Sequence, residues 1–524
     1  FISLMPESMH MIMWVMSDRA IPRSLRMMEG FGVHTFRLVD ARGTARFVKF
    51  HWKPKLGVHS VLWDEALKIS GKDPDFHRRD LWEAIAAGAY PEWELGLQVI
   101  DEADEHKFAF DLLDPTKVVP EEQVPVERVG RLVLDRNPDN FFAETEQVAF
   151  HPGHLVPGIE FTDDPLLQGR LFSYTDTQLT RLGGPNFHEI PINRPVAGMH
   201  NNQRDGHMRQ NINVGRVAYH PNTLGGGCPM QAGRAAGGFA THPEAMDGRK
   251  VRERGEKFFD HFSQATLFWN SQSDPEKQHI VRALRFELGK LEAAAVRERM
   301  VGMLAQVDRT LAGQVAEGLG LAVPKLAGPL NLSVPADADP KKFQPIALKQ
   351  AAVARSEALS MAQTVMDSAA TRKVAILAAH GVDQDAVGAM QRALLAAGAV
   401  PKIVAPHGGS LKTGDGGALA VDFTLLTVGS VLFDAVFIPG GAPSTSALAG
   451  DAAAVLFVRE AYKHCKAIAA SGTGLAVLEA AGVDVGEVLT RREGANGQLT
   501  AAFIKAIAQH RDWSREAKAQ TVPA

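Results

Sequence analysis

Arg170 and Tyr174 stand four residues apart in the run Arg170-Leu171-Phe172-Ser173-Tyr174-Thr175-Asp176-Thr177-Gln178, one turn apart on a helix. A phenol, with a pKa of about 10, is a poor anionic ligand at neutral pH unless a fixed cation favours its ionised form. Arginine stays protonated at every relevant pH, so the pair can make a phenolate, and a phenolate can bind ferric iron. Tyr174 is therefore the candidate metal ligand. The same spacing also suits a half-buried helix tyrosine hydrogen-bonded to a neighbour, and the pair by itself leaves both readings open.

The element that must position these residues is well marked. Asp164-Pro165 supplies an N-cap and a first-turn proline, and Gly183-Gly184-Pro185 stops the helix. Arg170, Tyr174, Thr177, Gln178 and Arg181 then fall on one stripe, while Leu171, Phe172, Leu179 and Leu182 lie mainly elsewhere. A polar stripe of this kind faces something polar or charged. Before the helix comes Phe150-His151-Pro152-Gly153-His154. Two close histidines invite a metal-site reading, but Pro-Gly puts them on a turn and no His-Glu-x-x-His helix occurs, which favours a structural or cofactor-lining role.

Around that helix the chain reads as α+β. Ser3 to Met16, Asp18 to Met28 and Pro74 to Ala86 are expected to be helical. His34 to Val39 and Thr44 to Trp52, joined by Asp40-Ala41-Arg42-Gly43, form a hairpin, and Trp93 to Ile100 with Lys107 to Leu113 suggests a second. From about Val148 to Met246 the chain is loop-rich, with Gly225-Gly226-Gly227 and Gly237-Gly238 suggesting an extended wrapping segment. Gln278 to Leu291 and Ala294 to Leu319 read as amphipathic helices, and a Pro- and charge-rich stretch from about Val323 to Pro345 as a linker. After Arg372 apolar strands at Val374–Leu377, Lys402–Val404, Ala435–Ile438 and Ala467–Ala470 alternate with helices, the pattern of a parallel doubly wound sheet.

A chain of 524 residues exceeds one hydrophobic core. Apolar content of 45% and charged content of 22% are those of a soluble globular protein. A net charge of -4 without basic clusters gives no reason to expect nucleic acid. Cys228 and Cys465 cannot build a disulfide framework, which favours a reducing compartment. The apolar run Met9–Met16 is broken by His10 and is far short of the ~20 residues that cross a bilayer, so no membrane association is expected. No signal-peptide pattern is visible, and a start at Phe1 leads us to expect that the natural N-terminus lies further upstream.

The nine-residue run resembles the proximal haem-ligand signature of the haem catalases, Arg-x-Phe-small-Tyr-x-Asp-small-Gln. The likeness extends over essentially the whole chain: Ser17-Asp18-Arg19 with Ile21-Pro22-Arg23, Met28-Glu29-Gly30-Phe31-Gly32-Val33-His34-Thr35-Phe36, Phe50-His51-Trp52-Lys53-Pro54, Asp111-Leu112-Leu113-Asp114-Pro115-Thr116-Lys117 and Arg136-Asn137-Pro138-Asp139-Asn140-Phe141-Phe142. With the appended C-terminal region, the chain is similar to the large-subunit (clade II) catalases. This implies part of the catalase antiparallel β-barrel, a wrapping segment and a helical region over residues 1–322, a linker over 323–371, and a flavodoxin-like domain over 372–524, akin in fold to class I glutamine amidotransferases and the DJ-1/PfpI group.

The resemblance also implies haem, b or d, as cofactor and hydrogen peroxide as substrate. One peroxide oxidises the ferric centre and leaves as water, and a second restores it and leaves as oxygen, with tyrosinate as the electron-rich axial ligand. Carried onto this sequence, Tyr174 binds the iron; Phe150, His151, Arg170, Ser173, Thr177, Gln178 and Arg181 belong to the cofactor site; and Arg181 pairs with a propionate. His34 and Asp164 stand behind the ligand, Asp164 both as helix cap and as the carboxylate that orients Arg170. In some large-subunit catalases the histidine at the place of His151 is cross-linked to the ligand tyrosine. The distal histidine and asparagine of the family match nothing in this chain, so they are expected upstream, and the chain taken alone is expected to be a fragment with little or no activity. A homotetramer in the cytoplasm, without NADPH, completes the expectation.

Class I amidotransferases carry a nucleophilic cysteine on a sharp turn after a strand. Here that turn reads Ala470-Ser471-Gly472-Thr473-Gly474, and Cys465 lies upstream of it, so a structural role is expected for the C-terminal domain. Two other classes compete with the catalase reading: a haem enzyme that processes organic hydroperoxides on the same proximal helix, and a non-catalytic interaction module built on the C-terminal domain.

Overall fold

The computed structural model of the protein describes residues 1–196, 203–214, 216–217, 219, 221–224, 241–244, 251, 253–325, 328–347, 353–491 and 497–524. Cys228, Gly225-Gly226-Gly227 and Gly237-Gly238 lie outside them.

The first part holds an antiparallel sheet made of β1 (Gly30–Phe31), β2 (Phe36–Val39), β3 (Ala45–Pro54), β4 (Glu92–Asp101), β5 (Glu127–Val133) and β6 (Ile159–Glu160), in the order β5-β4-β3-β2-β6 with β1 also on β3. The first expected hairpin is present: β2 and β3 pair from Phe36↔Val48 to Val39↔Ala45, and Asp40 Oδ1 accepts from the Arg42 and Thr44 amides to close the turn. The second is corrected. β4 pairs with β5, not with 107–113. That segment forms turns held by Asp111 and Asp114 side chains, and its Phe110 and Leu112 tuck against Phe47, Ile100 and Val119.

The helices depart from expectation where prolines and caps intervene. α1 spans only Met9–Val15, because Pro6 confines the preceding residues to short 3-10 turns, and Asp18 to Met28 is likewise two 3-10 turns around Pro22. α2 (Trp63–Lys72), not foreseen, precedes α3 (Phe76–Ala86). α4 (Pro165–Leu182) is the helix of Tyr174. Then come α5 (Ser263–Ser271), α6 (Asp274–Gly289), α7 (Ala294–Val307) and α8 (Arg309–Gly318). The last two replace one expected helix because Asp308 takes an extended conformation and its Oδ1 caps the Leu311 amide at 2.8 Å. Met9, Met13, Phe268, Leu284, Leu304 and Leu311 bind this helical layer into one core. The stretch read as a linker is tied down: Leu332 N donates to Leu4 O, Ile346 N to Phe259 O, and Arg19 reaches Leu359 O.

The C-terminal part is a mixed-layer unit with a parallel sheet. β7 (Lys373–Leu377), β8 (Val400–Ala405), β11 (Phe423–Thr424), β12 (Ala435–Ile438), β13 (Ala467–Ser471) and β14 (Leu489–Arg491) run in the order β11-β8-β7-β12-β13-β14, and β9 (Ser410–Lys412) and β10 (Ala418–Ala420) form a separate hairpin. Ala375, Leu377, Val436 and Ile438 face α10 (Ala442–Ala449), α11 (Ala452–Lys463) and α12 (Leu475–Ala480). Val374, Ile376, Ala435 and Phe437 face α9 (Gln384–Ala396) and α13 (Gly497–Ala508) on the other side. Continuous apolar strands covered on both faces are what a parallel sheet requires.

The two parts meet through buried charges. Arg23 grips Asp434 with both prongs of its guanidinium, at 2.6 and 2.8 Å. The fully buried Lys466 donates to Glu65 at 2.7 Å and to the Ser430 and Phe433 carbonyls at 2.7 and 2.8 Å, using all three of its N–H bonds. Arg511 also holds Glu65. His279, on α6, lies between Asp18 and Glu516, the latter opening α14 (Glu516–Ala519).

Candidate functional site

α4 begins where the sequence says it should. Asp164 is fully buried, and its Oδ1 accepts from the Leu166 and Leu167 amides at 2.9 and 3.1 Å while Pro165 occupies the first turn. Gly183 ends the helix at φ 79°, a left-handed conformation that a side chain would strain. Only Leu167 and Gln178 of its 18 residues are buried, and Phe172 is 77% exposed, so this helix owes little of its position to packing within the described residues.

One turn of helix brings the chemistry together. Arg170 Nη2 donates to Tyr174 Oη at 2.7 Å, and the guanidinium carbon stands 4.9 Å from the centre of the tyrosine ring. Arginine has no acceptor, so the phenol oxygen must accept, and a permanent positive charge sits beside the atom that would carry negative charge as a metal ligand.

At the start of the same helix, His34 Nδ1 and Asp164 Oδ2 are 2.6 Å apart and both residues are buried. The carboxylate is thus divided between His34 and the helix amides. Its direct orientation of Arg170, expected from sequence, is not what the hydrogen bonds show, since Arg170 Nη2 goes to Tyr174. The buried Lys49, whose ammonium donates to Val33 O at 2.9 Å, faces the same region; burial pushes its pKa down to about 8 despite Asp164 and Asp114. Sequence reading missed it, because a lysine in a strand gives no sign of being buried.

His151 is held in one tautomer. Its Nδ1 accepts from Gly153 N at 2.8 Å, which leaves Nε2 to donate to Thr175 Oγ1, also at 2.8 Å. Burial lowers its pKa and keeps it neutral. The ring lies edge-on to Tyr174 at 6.1 Å and stacks on His154 at 4.8 Å. Thr175 was not singled out in the sequence, although its place one residue after Tyr174 could have suggested it.

Gln178 and Arg181 serve the segment before the helix. Gln178 Nε2 donates to Phe150 O at 3.2 Å, and its Oε1 accepts from Arg181 Nη2 at 2.8 Å. Arg181 also donates to Glu146 O at 2.6 Å and to Val148 O. Most of its fork is therefore spent on the backbone ahead of Phe150, where the sequence led us to expect a carboxylate partner. Ser173 and Thr177 are exposed on α4, and the Phe150 ring is 74% exposed.

These residues suit a haem in chemistry. They offer one oxygen donor with a fixed cation beside it, a neutral imidazole nearby, and aromatic surface left open at Phe150 and Phe172. No helix of the described residues is long and apolar enough to cross a membrane.

Comparison with known proteins shows the family. Residues 1–226 match the catalase family, residues 255–319 the catalase-related immune-responsive family, and residues 370–517 the C-terminal domain found in long catalases. Catalase HPII of Pseudomonas putida is 54% identical over 100% of this chain and 71% of its own length. Catalase-2 of Bacillus subtilis is 52% identical over 98% of this chain and 72% of its own, and Catalase-B of Dictyostelium discoideum 45% over 100% and 74%. The inactivity expected of the chain taken alone finds no support in these matches. With identity of this level across all of its sequence, the chain belongs to the catalase family.

Proposed function

We propose that this protein disproportionates hydrogen peroxide to water and oxygen at a haem whose iron is held by Tyr174. The observation that carries the reading is the 2.7 Å bond from Arg170 to the Tyr174 oxygen on a helix capped at both ends. Haem, when bound, supplies the redox-active iron that exchanges electrons with peroxide.

The chain's own residues do the rest of the proximal work. Arg170 holds the Tyr174 oxygen as an acceptor and counters its charge. Asp164 fixes the start of the helix and holds His34 there. His151 keeps its proton on Nε2, bonded to Thr175, and stays uncharged beside the phenol. Phe150, Ser173, Thr177 and Arg181 are exposed beside it, and the buried Gln178 ties Phe150 to Arg181; the pairing of Arg181 with a propionate would call on the donor capacity left after its backbone bonds. Haem b or d, a homotetramer and a cytoplasmic location belong to the same proposal.

The C-terminal unit is read as flavodoxin-like, on the support of its parallel strand order and its helices on both faces. At the end of β13 the left-handed position is taken by Gly472, φ 56°, where a nucleophile elbow would place its reactive side chain. Cys465 is buried before the strand, and burial pushes its thiol up to about 12. No thiol chemistry is therefore assigned to this unit.

The test is the visible spectrum of the haem-supplied protein beside its Tyr174→Phe variant. A high-spin ferric haem spectrum, lost or altered in the variant, is expected. Absence of haem from both proteins would overturn the reading.

A further inference from the structure

A cleft of about 790 Å³ opens between α3 and the end of α2 on one side and the β8 edge of the C-terminal unit on the other. Its floor is apolar and buried, formed by Phe76, Val428 and Phe433, and its rim exposes Leu395 (62%) and Phe423 (38%). Apolar surface left open to this degree in a concave site is where a ligand gains most from leaving water.

The charges around it are unevenly matched. Arg26 is bound by Asp80, Arg79 by Asp73, Lys373 by Glu83 and Lys402 by Asp422. Lys72, the last residue of α2, is the one lining cation among the described residues with no carboxylate or hydrogen-bond partner. Its side chain crosses towards Gly429 of the C-terminal unit, where an added Cβ would meet its Cε at 3.1 Å. Lys72 is exposed, so its ammonium stands at the mouth of the cleft, where it suits an anion whose apolar body lies further in.

The start of β8, which β11 leaves uncovered by pairing only with Val404 and Ala405, argues against an added peptide strand. Val400 N turns inward to Arg372 O and Ile403 bonds outward to Asp422, so the outward position at the cleft is Pro401, which has no N–H to offer. Side chains, not main chain, must therefore hold the occupant. We propose that this cleft is a binding site for an apolar carboxylate, its head at Lys72 and its body covering Leu395 and Phe423 above the floor of Phe76, Val428 and Phe433. The proposal is independent of the haem site.

Calorimetric titration of dodecanoate, kept below its micelle-forming concentration, into the haem-loaded full chain tests it. One saturable site per chain is expected. Lys72→Ala should weaken it by about tenfold or more, the worth of one hydrogen bond to a charged group, and Lys72→Arg should restore it. Ala87→Trp, at an exposed residue of the cleft wall, should abolish binding by filling the space. Peroxide turnover should be unchanged in all three variants. The proposal is overturned if the wild type shows no saturable site, including the case in which a second copy or another segment of chain already fills the cleft. Equal affinity in the wild type, Lys72→Ala and Ala87→Trp would also overturn it; should the tryptophan variant not fold, the two Lys72 variants decide.

Discussion

α4 and the seam between the two parts of the molecule put charge to opposite uses. On α4 a single arginine meets a single phenol on a helix that is mostly exposed, so the pair is available to a cofactor. At the seam, Arg23, Asp434, Glu65, Lys466 and Arg511 are buried and pair with one another. Burial would raise the Glu65 and Asp434 carboxyls, but Arg511 with Lys466, and Arg23, override it and hold both below the usual carboxylate range. A buried pair of this kind adds little net stability over an apolar contact, yet breaking one half leaves a stranded charge. The seam is thus built to be specific and intolerant, while α4 is built to receive.

The sharpest way to break the comparison is Tyr174→Phe, which should abolish or alter haem binding while leaving thermal unfolding of the C-terminal unit unchanged. Asp434→Ala should do the reverse. It should cost about 3–5 kcal/mol, because Arg23 keeps only its longer contact to Asp80 and Arg372 loses its nearest carboxylate, read as early proteolysis between the two parts, with the haem spectrum retained. Smaller still is Arg170→Leu, which leaves the ligand and removes its cation. Turnover should fall by roughly 10–100-fold, the range for a residue that tunes a metal ligand from behind. An unchanged rate would show that the arginine serves only the helix.

Protons give the finest test, because the seam holds histidines of both kinds. Burial alone would lower His279, but the Asp18 and Glu516 carboxylates raise it to about 10. Its contribution to stability is whole below pH 6.5 and is lost as pH rises from there through 10, at about 1.4 kcal/mol per pH unit. His59 is pushed down to about 3 by burial and by Arg372, so the unfolded chain takes up a proton that the folded one refuses, and stability falls as pH drops from 6.5 towards 3. Unfolding curves of His279→Gln should lose the alkaline slope alone, and those of His59→Gln should lose part of the acid one. Identical slopes in both variants and the wild type would mean that these histidines are not what the seam titrates.

Much of this was legible from residue order, where a local rule governs. Asp164-Pro165 and Gly183 mark the ends of α4 because capping needs only neighbours in sequence, and Arg170 finds Tyr174 because they are one turn apart. The β2–β3 hairpin followed from its turn, and the parallel C-terminal sheet from strands apolar on both faces. β5 was missed because six of its seven residues are exposed, which leaves no alternation to read, and the helix over 294–319 was broken by an aspartate that looked like one more polar residue.

The sequence by itself determined the family, the tyrosine and its arginine, and the class of each half of the chain. Only the tertiary structure decided that His34 would spend itself on an aspartate 130 residues away, that Arg181 would turn to the backbone before Phe150, and that Lys72 would find no partner among the described residues at the mouth of an apolar cleft. The reason is physical. Capping and helix spacing act over a few residues, whereas a side chain's partners and burial depend on which distant segments fold against it.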